Sequence, residues 1–424
     1  MYHHSIVYVC FVIISLSSLA QGEDWAQFRG PDFGRASQSN IAETWDTEGV
    51  DWKTPLPGRG ASSPVVFGDH IYLTAYTGYA IDKKEPGDPK LLVRHLLCLD
   101  VNNGKLLWQK SIADDSPKDK FATWGTAKAG YASGSAAVDA SGVYVLFGST
   151  GVVAYSHDGD EQWRTFCGDD VEDYPGGTSP IVYKDLVIVN ASYESGDLIA
   201  LNKTDGSEAW RQKEVTKAWN TPIVYKSANG EDELAVSAID EIRAVDPQTG
   251  KLRWTCTGVD EYVCPSLIAQ DGVLYTIGGK KGVVIAVRSG GEGDVTETHR
   301  LWVVDKGSNV SSPVYHDGHL YWAKDKGGVV YCVNAETGEL VYQERLKPGA
   351  KSIYSTPLLA NGRLYYISRE KGIFVVAATP EFKLLSHTKL DGDDSIFSAS
   401  PVPLSDGAVL LRSDKFLYRM KPAK

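Results

Sequence analysis

One short phrase recurs along this 424-residue chain, and its spacing constrains the fold more than any other feature. A small or hydroxyl-bearing residue precedes proline, and apolar residues follow. The instances are Ser63-Pro64-Val65-Val66, Ser179-Pro180-Ile181-Val182, Thr221-Pro222-Ile223-Val224, Ser312-Pro313-Val314-Tyr315, Thr356-Pro357-Leu358-Leu359 and Ser400-Pro401-Val402. Cys264-Pro265-Ser266-Leu267 reads as a variant, and Gly134-Ser135-Ala136-Ala137 fills the slot without proline. The slot falls at 64, 136, 180, 222, 265, 313, 357 and 401, in steps of 72, 44, 42, 43, 48, 44 and 44. A period of about 40–50 residues built from short strands marks a β-propeller with four strands per blade. Two inserted loops, around Lys83 to Lys90 and around Asp114 to Lys128, account for the long first step.

Each unit continues in the same order. A tight turn such as Phe67-Gly68-Asp69 or Asn361-Gly362 supplies the positive φ a hairpin needs. A β-rich segment follows, for example Leu320-Tyr321-Trp322, and then a third strand ending in an acid or amide, as in Val245-Asp246 or Val333-Asn334. After a second turn, a fourth strand carries one aromatic: Trp108, Trp163, Trp210, Trp254, Trp302 or Tyr342. A large ring on the outer strand fills the widening wedge between blades while its N–H finds a partner. Stacking on a flat cofactor fits poorly, because the ring recurs once in every unit. The last unit has only three strands. Its missing outer strand is supplied by Val50 to Leu56, with Trp52 as its aromatic. The expected fold is therefore all-β: an eight-bladed propeller of four-stranded antiparallel blades, closed by the N-terminal strand.

The ends and the charge narrow the setting. Ile6 to Leu19 is apolar, and Ser18-Leu19-Ala20 offers small residues where a signal peptidase cuts. The reading is a signal peptide over 1–20, an N-terminal extension over 21–49 and the propeller over 50–424. An uncleaved anchor is the alternative for the first segment, which has His3 and His4 but no Lys or Arg. No lipobox precedes Cys10, and no later segment is apolar enough to cross a bilayer. The expected location is the periplasm or the exterior, with a monomer. A formal charge of −11 disfavours nucleic acid as a partner. Removing the signal leaves Cys98, Cys167, Cys256, Cys264 and Cys332, an odd number. Cys256 and Cys264 either bridge two strand ends or remain buried thiols. No spacing suggests zinc.

The segment Ala244 to Trp254, with Asp246, Thr249-Gly250 and Trp254, resembles the tryptophan-docking repeat of pyrroloquinoline-quinone (PQQ)-like propellers. Leu99 to Trp108 and Val333 to Tyr342 match it closely, and the likeness covers nearly all of the chain after the signal. The leader Trp25-Ala26-Gln27-Phe28-Arg29-Gly30-Pro31 is similar to the opening of secreted PQQ-like repeat proteins of planctomycete type. The resemblance implies the fold firmly and leaves two function classes open.

The first class is a quinoprotein dehydrogenase. Such enzymes hold PQQ near the ring axis, often under a ring of adjacent cysteines, with Ca²⁺ bound by Glu, Asn and Asp. This chain has no Cys-Cys pair and no recognisable ligand trio. Asp240 is the best candidate carboxylate, and a solvated loop acid is its plainer reading. The second class, taken as the expected one, is a non-enzymatic binding or scaffold propeller of the envelope, resembling the BamB-type factors of outer-membrane protein assembly. It recognises a protein or polymer partner through the loops of one face and needs no cofactor; an extracellular carbohydrate binder is a variant of it. Trp219, Tyr262, Tyr354 and Phe397 stand just before inner strands, where they either line the funnel or seal blade junctions. Second-to-third-strand loops carry Lys280, Lys281, Lys324, Lys326, Arg369, Lys371, Arg412 and Lys415 on one half of the ring, with Lys324, Lys326, Arg369 and Lys371 as the binding candidates. Asp169, Asp170, Glu172, Asp173, Glu194, Asp197, Asp240 and Glu241 lie on the other half. That asymmetry either orients a polar partner or is ordinary solvated surface. The Asp-rich segments at 157–160 and 391–394 read as hairpin turns rather than calcium loops.

Overall fold

Eight sheets, each with an antiparallel core of strands consecutive in the chain, follow one another along the sequence. The structure is a computed structural model, and it describes residues 24–37, 40–45, 49–82, 84–113, 130–170, 176–261, 263–390 and 392–422. The segment read as an export signal, the whole of the second inserted loop, Glu172, Asp173, Tyr262 and Asp391 lie outside the described residues. Blade 1 is typical: Val65–Phe67, His70–Thr77, Val93–Asp100 and Leu106–Ala113 run from the inner to the outer edge. Blade 8 is completed out of order. Val50–Pro55 pairs antiparallel with Phe416–Met420 as its outer strand, which removes the free edge at the ring's seam.

Two blades gain a fifth short strand. Gly293–Asp294 runs parallel to the outer strand of blade 4, and Arg35–Ala36 runs parallel to the inner strand of blade 7. The core lies between blades as separate apolar layers. One layer joins blades 7, 8 and 1 through Tyr365, Leu411 and Leu73. Another joins blades 4 and 5 through Trp254, Leu274 and Ile285.

The aspartate, glycine and tryptophan of the repeat have one joint explanation. Asp246 Oδ1 accepts the N–H groups of Gln248 and Thr249, closing the turn between third and fourth strands. Gly250 then sits at φ 70°, and a Cβ there would lie 2.6 Å from the ring of Trp210 in the preceding blade. Trp210 packs on that bare turn and donates Nε1–H to Pro247 O at 3.2 Å. Trp52, Trp108, Trp163 and Trp302 do the same with Val101 O, His157 O, Lys203 O and Ala335 O. Beside each aromatic the outer pair of strands shifts register by one residue, as at Ala244/Val245, and the bulge increases the local twist.

Trp254 and Tyr342 depart from this pattern. Blade 5 replaces its turn with a longer connection, so Trp254 is wholly buried and donates instead to the buried carboxylate Glu233. Tyr342 packs edge-on against Phe382. All five cysteines after the leader are free, so Cys256 and Cys264 do not bridge.

Candidate functional site

The hydroxyl before proline forms the belt that holds the inner strands around the axis. Ser63 N donates to Ser135 Oγ, Ser135 N to Ser179 Oγ, Ser179 N to Thr221 Oγ1 and Thr221 N to Ser266 Oγ. Ser266 N then donates to Ser312 Oγ, Thr356 N to Ser400 Oγ and Ser400 N back to Ser63 Oγ. These links span 2.9–3.1 Å. Between blades 6 and 7, Ser311 Oγ donates to Ser355 O at 2.9 Å. Serine and threonine recur here because each satisfies a neighbour's backbone N–H in a buried place. The belt also corrects one alignment. In blade 5 its hydroxyl is Ser266, so the proline slot is Leu267 rather than Pro265, and the flanking links span 45 and 46 residues.

In an antiparallel four-stranded blade, the first-to-second and third-to-fourth turns share one face. The second-to-third loops and the blade-to-blade connections share the other. The chain's own leader crosses the first face. Trp25 O accepts from Val66 N in blade 1 and Ala26 O from Val138 N in blade 2, at 3.0 and 2.8 Å. Arg29 is 3 % exposed. Its terminal nitrogens donate to Leu267 O at 3.0 Å, Phe33 O at 2.8 Å and Pro313 O at 2.7 Å, reaching blades 5 and 6. Gly34 O accepts from Leu359 N in blade 7, and Asn40 lies against Gly407 in blade 8. Residues 24–36 thus form a bar across one mouth of the channel. The sequence reading had assigned this extension no role.

The opposite, loop-bearing face holds the sequence-derived candidates that fall among the described residues. Trp219 is half-buried and stacks on Tyr193, ring centroids 4.3 Å apart, with Lys217 Nζ 5.9 Å from the Tyr193 ring. Tyr354 is half-buried beneath Arg369, whose guanidinium carbon lies 4.3 Å from the ring centre. Burial pushes the Tyr354 hydroxyl up, against the pull of Arg369. Arg369 Nε also donates to Ser398 Oγ at 3.1 Å, so one side chain ties together two blade-to-blade connections. Phe397 is 5 % exposed and packs on Tyr418 in the layer shared by blades 7, 8 and 1, so it lies in a blade junction and not in the funnel.

The charges on this face are uneven. Lys324 and Lys326 are exposed, and Lys371 is half-buried beside Arg369. On the acidic half, Asp197 pairs with Arg211 and Glu241 with Arg243, while Glu194 is buried. The acidic field is therefore weaker than the residue types alone suggested. Asp240 is exposed, at φ 62°. Among the described residues, no three His, Cys, Asp or Glu side chains gather as metal ligands. Arg412 is not one of the loop-face charges the sequence suggests: it is 1 % exposed and donates to Ser62 O at 2.8 Å and Thr74 O at 2.7 Å, tying blade 8 to blade 1 beside the seam.

The comparisons with known proteins agree with this architecture. BamB from Moraxella catarrhalis superposes with a TM-score of 0.62 at 14 % identity, over 88 % of this chain and 97 % of that one. Quinohemoprotein alcohol dehydrogenase from Comamonas testosteroni gives a TM-score of 0.66 at 12 % identity, over 95 % of this chain and 81 % of that one. The computationally designed Ika8 protein gives 0.57 at 14 % identity, over 87 % and 98 %. Identities this low carry the fold and not the activity. No curated protein sequence matches the chain significantly. The sequence profile of the outer membrane protein assembly factor BamB matches residues 94–305 and 294–381, more than half of the chain. This chain, an eight-bladed propeller with one mouth barred by its own leader, belongs to that BamB-type family.

Proposed function

We propose that this chain is a non-enzymatic binding propeller of the envelope that takes a protein or polymer partner on its loop face. The observation that carries the reading is the contrast between the mouths. The leader crosses one, while the loops of the other carry Lys324, Lys326, Arg369 and Lys371, with Arg369 over the half-buried ring of Tyr354. Cations beside an accessible aromatic suit an acidic or polar partner surface. Export to the periplasm or beyond belongs to the same reading, as does the lack of a resident cofactor.

The test is a comparison of partners captured from the native envelope by the unaltered chain and by Lys324→Glu/Lys326→Glu. Arg369→Ala, which also loosens two connections, serves as a separate variant. Partners lost with both variants while the fold is retained support the reading, and an unchanged partner set overturns it. The competing dehydrogenase reading makes a different prediction: purified protein given PQQ and Ca²⁺ would show quinone absorbance and dye-coupled alcohol oxidation.

A further inference from the structure

The leader bonds to the channel wall unevenly. Three residues after each belt hydroxyl stand Val66, Val138, Val182, Val224, Ala269, Tyr315, Leu359 and Pro403. On an inner edge strand, alternate residues turn N–H and C=O away from the sheet partner, here toward the axis. Val66, Val138 and Leu359 use those N–H groups to bond the leader at 3.0, 2.8 and 2.9 Å. Val182 holds the same register: it pairs with Val187 one step before a two-residue turn, as Val66 pairs with Ile71. Val224 pairs with Leu234, in phase with the bonded turn closed by Ser227 and Glu231. Among the described residues neither Val182 N–H nor Val224 N–H has a protein partner. Both valines are half-buried, whereas the three that the leader bonds are buried.

A small, partly open hollow lies at this gap, lined by Phe28, Arg29 and Pro31 of the leader and by Val182, Ile223 and Val224 of the wall. Arg29 brings the charge. Its Nε–H is buried without a partner. Its terminal nitrogens are met by neutral carbonyls, and the nearby Asp32 is paired with Arg35. A buried cation surrounded only by neutral acceptors leaves its charge uncompensated. Burial accordingly disfavours the charge this guanidinium still carries, and Arg35 adds to the effect.

We infer that this vestibule binds a carboxylate-bearing ligand. The carboxylate accepts from the free inner-edge N–H groups and lies in the field of Arg29, whose terminal N–H groups stay on their carbonyls, while the apolar remainder lies against Phe28, Pro31 and Ile223. Two sources present that chemistry: a free small acid and the C-terminus of a peptide. The site is on the face opposite the proposed partner surface and stands or falls independently of it.

The experiment uses the exported chain labelled with ¹⁵N-arginine and follows the Arg29 Nε–H resonance. Three probes are added: acetate, N-acetyl-Ala-Ala with a free carboxyl, and its C-terminal amide. A saturable shift with both acids assigns the site to small carboxylates generally, and a shift with the peptide acid alone assigns it to chain termini. No shift with either acid up to roughly 50 mM, or equal binding of the amide, overturns the inference. Val224→Pro removes one inner-edge N–H and keeps the sheet, since Pro403 already occupies that register in blade 8. It is expected to weaken acid binding about tenfold, the scale of one charge-assisted hydrogen bond. Unchanged affinity in a folded Val224→Pro protein equally overturns the site as described.

Discussion

The two mouths of the channel are built by opposite means. One is crossed by a continuous stretch of chain that bonds the inner strands through its backbone and anchors in the middle with a buried arginine. The other is an assembly of separate connections, held by side-chain contacts such as Arg369 on Tyr354 and Trp219 on Tyr193. The difference separates what the fold requires from what it tolerates. A barred mouth cannot change without disturbing several blades, whereas a loop mouth can change one connection at a time. Variation for recognition is cheap only at the second.

The largest effect is expected from alkali, which attacks the walls both mouths rest on. Burial pushes the thiols of Cys98, Cys167 and Cys332 up to about 12, from an ordinary value of 9.0. It likewise pushes the Tyr76, Tyr155 and Tyr365 hydroxyls up to about 12, from 10.0. The folded state keeps these protons where the unfolded chain releases them. Their stabilisation is whole below pH 9.0 and is lost as pH rises toward about 12. Burial moves the Arg29 and Arg412 guanidinium groups down, which acts in the opposite direction. Guanidinium, however, keeps its proton in nearly every protein setting, so the thiols and phenols decide the sign. Urea unfolding at stepped pH should show the midpoint falling steadily above pH 9, and a flat or rising midpoint would contradict this account.

The same substitution at each mouth gives the sharpest comparison. Trp25, 5 % exposed, packs over blade 1, and truncating it to alanine should cost roughly 3–5 kcal/mol. Trp219 is half-buried and, among the described residues, stacks on Tyr193, so Trp219→Ala should cost about 1 kcal/mol, less than the loss at Trp25. Equal losses in urea unfolding would mean that the two mouths are alike in energetic terms. Between them lies the belt. Thr221→Val keeps the shape but leaves Ser179 N–H buried without its acceptor, at an expected cost of about 1–3 kcal/mol. The matching change at an exposed turn hydroxyl, Ser207→Val, should cost less than about 0.5 kcal/mol.

How much of this was legible in the sequence depended on repetition. Eight similar units exposed the blade count, the closing strand Val50–Pro55 and the docking aromatics, because every copy solves the same packing problem. The belt was half legible. Ser/Thr-Pro stands out as a phrase, but the hydroxyl and not the proline makes the bond, so an alignment on Pro265 puts blade 5 out of register. The leader was illegible, because a segment that occurs once has no period, and only distant contacts such as Arg29 to Pro313 reveal its path. Its signal was present in Phe28-Arg29-Gly30-Pro31, an arginine among apolar and turn residues in a stretch with no strand pattern. The funnel aromatics illustrate the remaining limit. Position before an inner strand places a ring near a junction, but neighbouring side chains decide whether it is sealed between blades, as Phe397 is, or stays half-exposed, as Trp219 does.

The smallest effect on stability should fall where the effect on binding is greatest. Lys324 and Lys326 are exposed on a second-to-third-strand loop, and their side chains join no ion pair among the described residues. Reversing both to glutamate should change unfolding stability by less than about 0.5 kcal/mol, the usual range for surface substitutions. If the loop face meets an acidic or polar partner, the same change removes attraction at long range and adds repulsion. Such charges act mainly on encounter, so the association rate should fall and lose its salt dependence while dissociation changes less. A stability loss as large as that of Trp25→Ala would show the loop face to be structural after all. Unaltered association of a partner captured by the parent chain would place recognition elsewhere, and the barred mouth, with its free inner-edge amides at Val182 and Val224, would become the surface to examine.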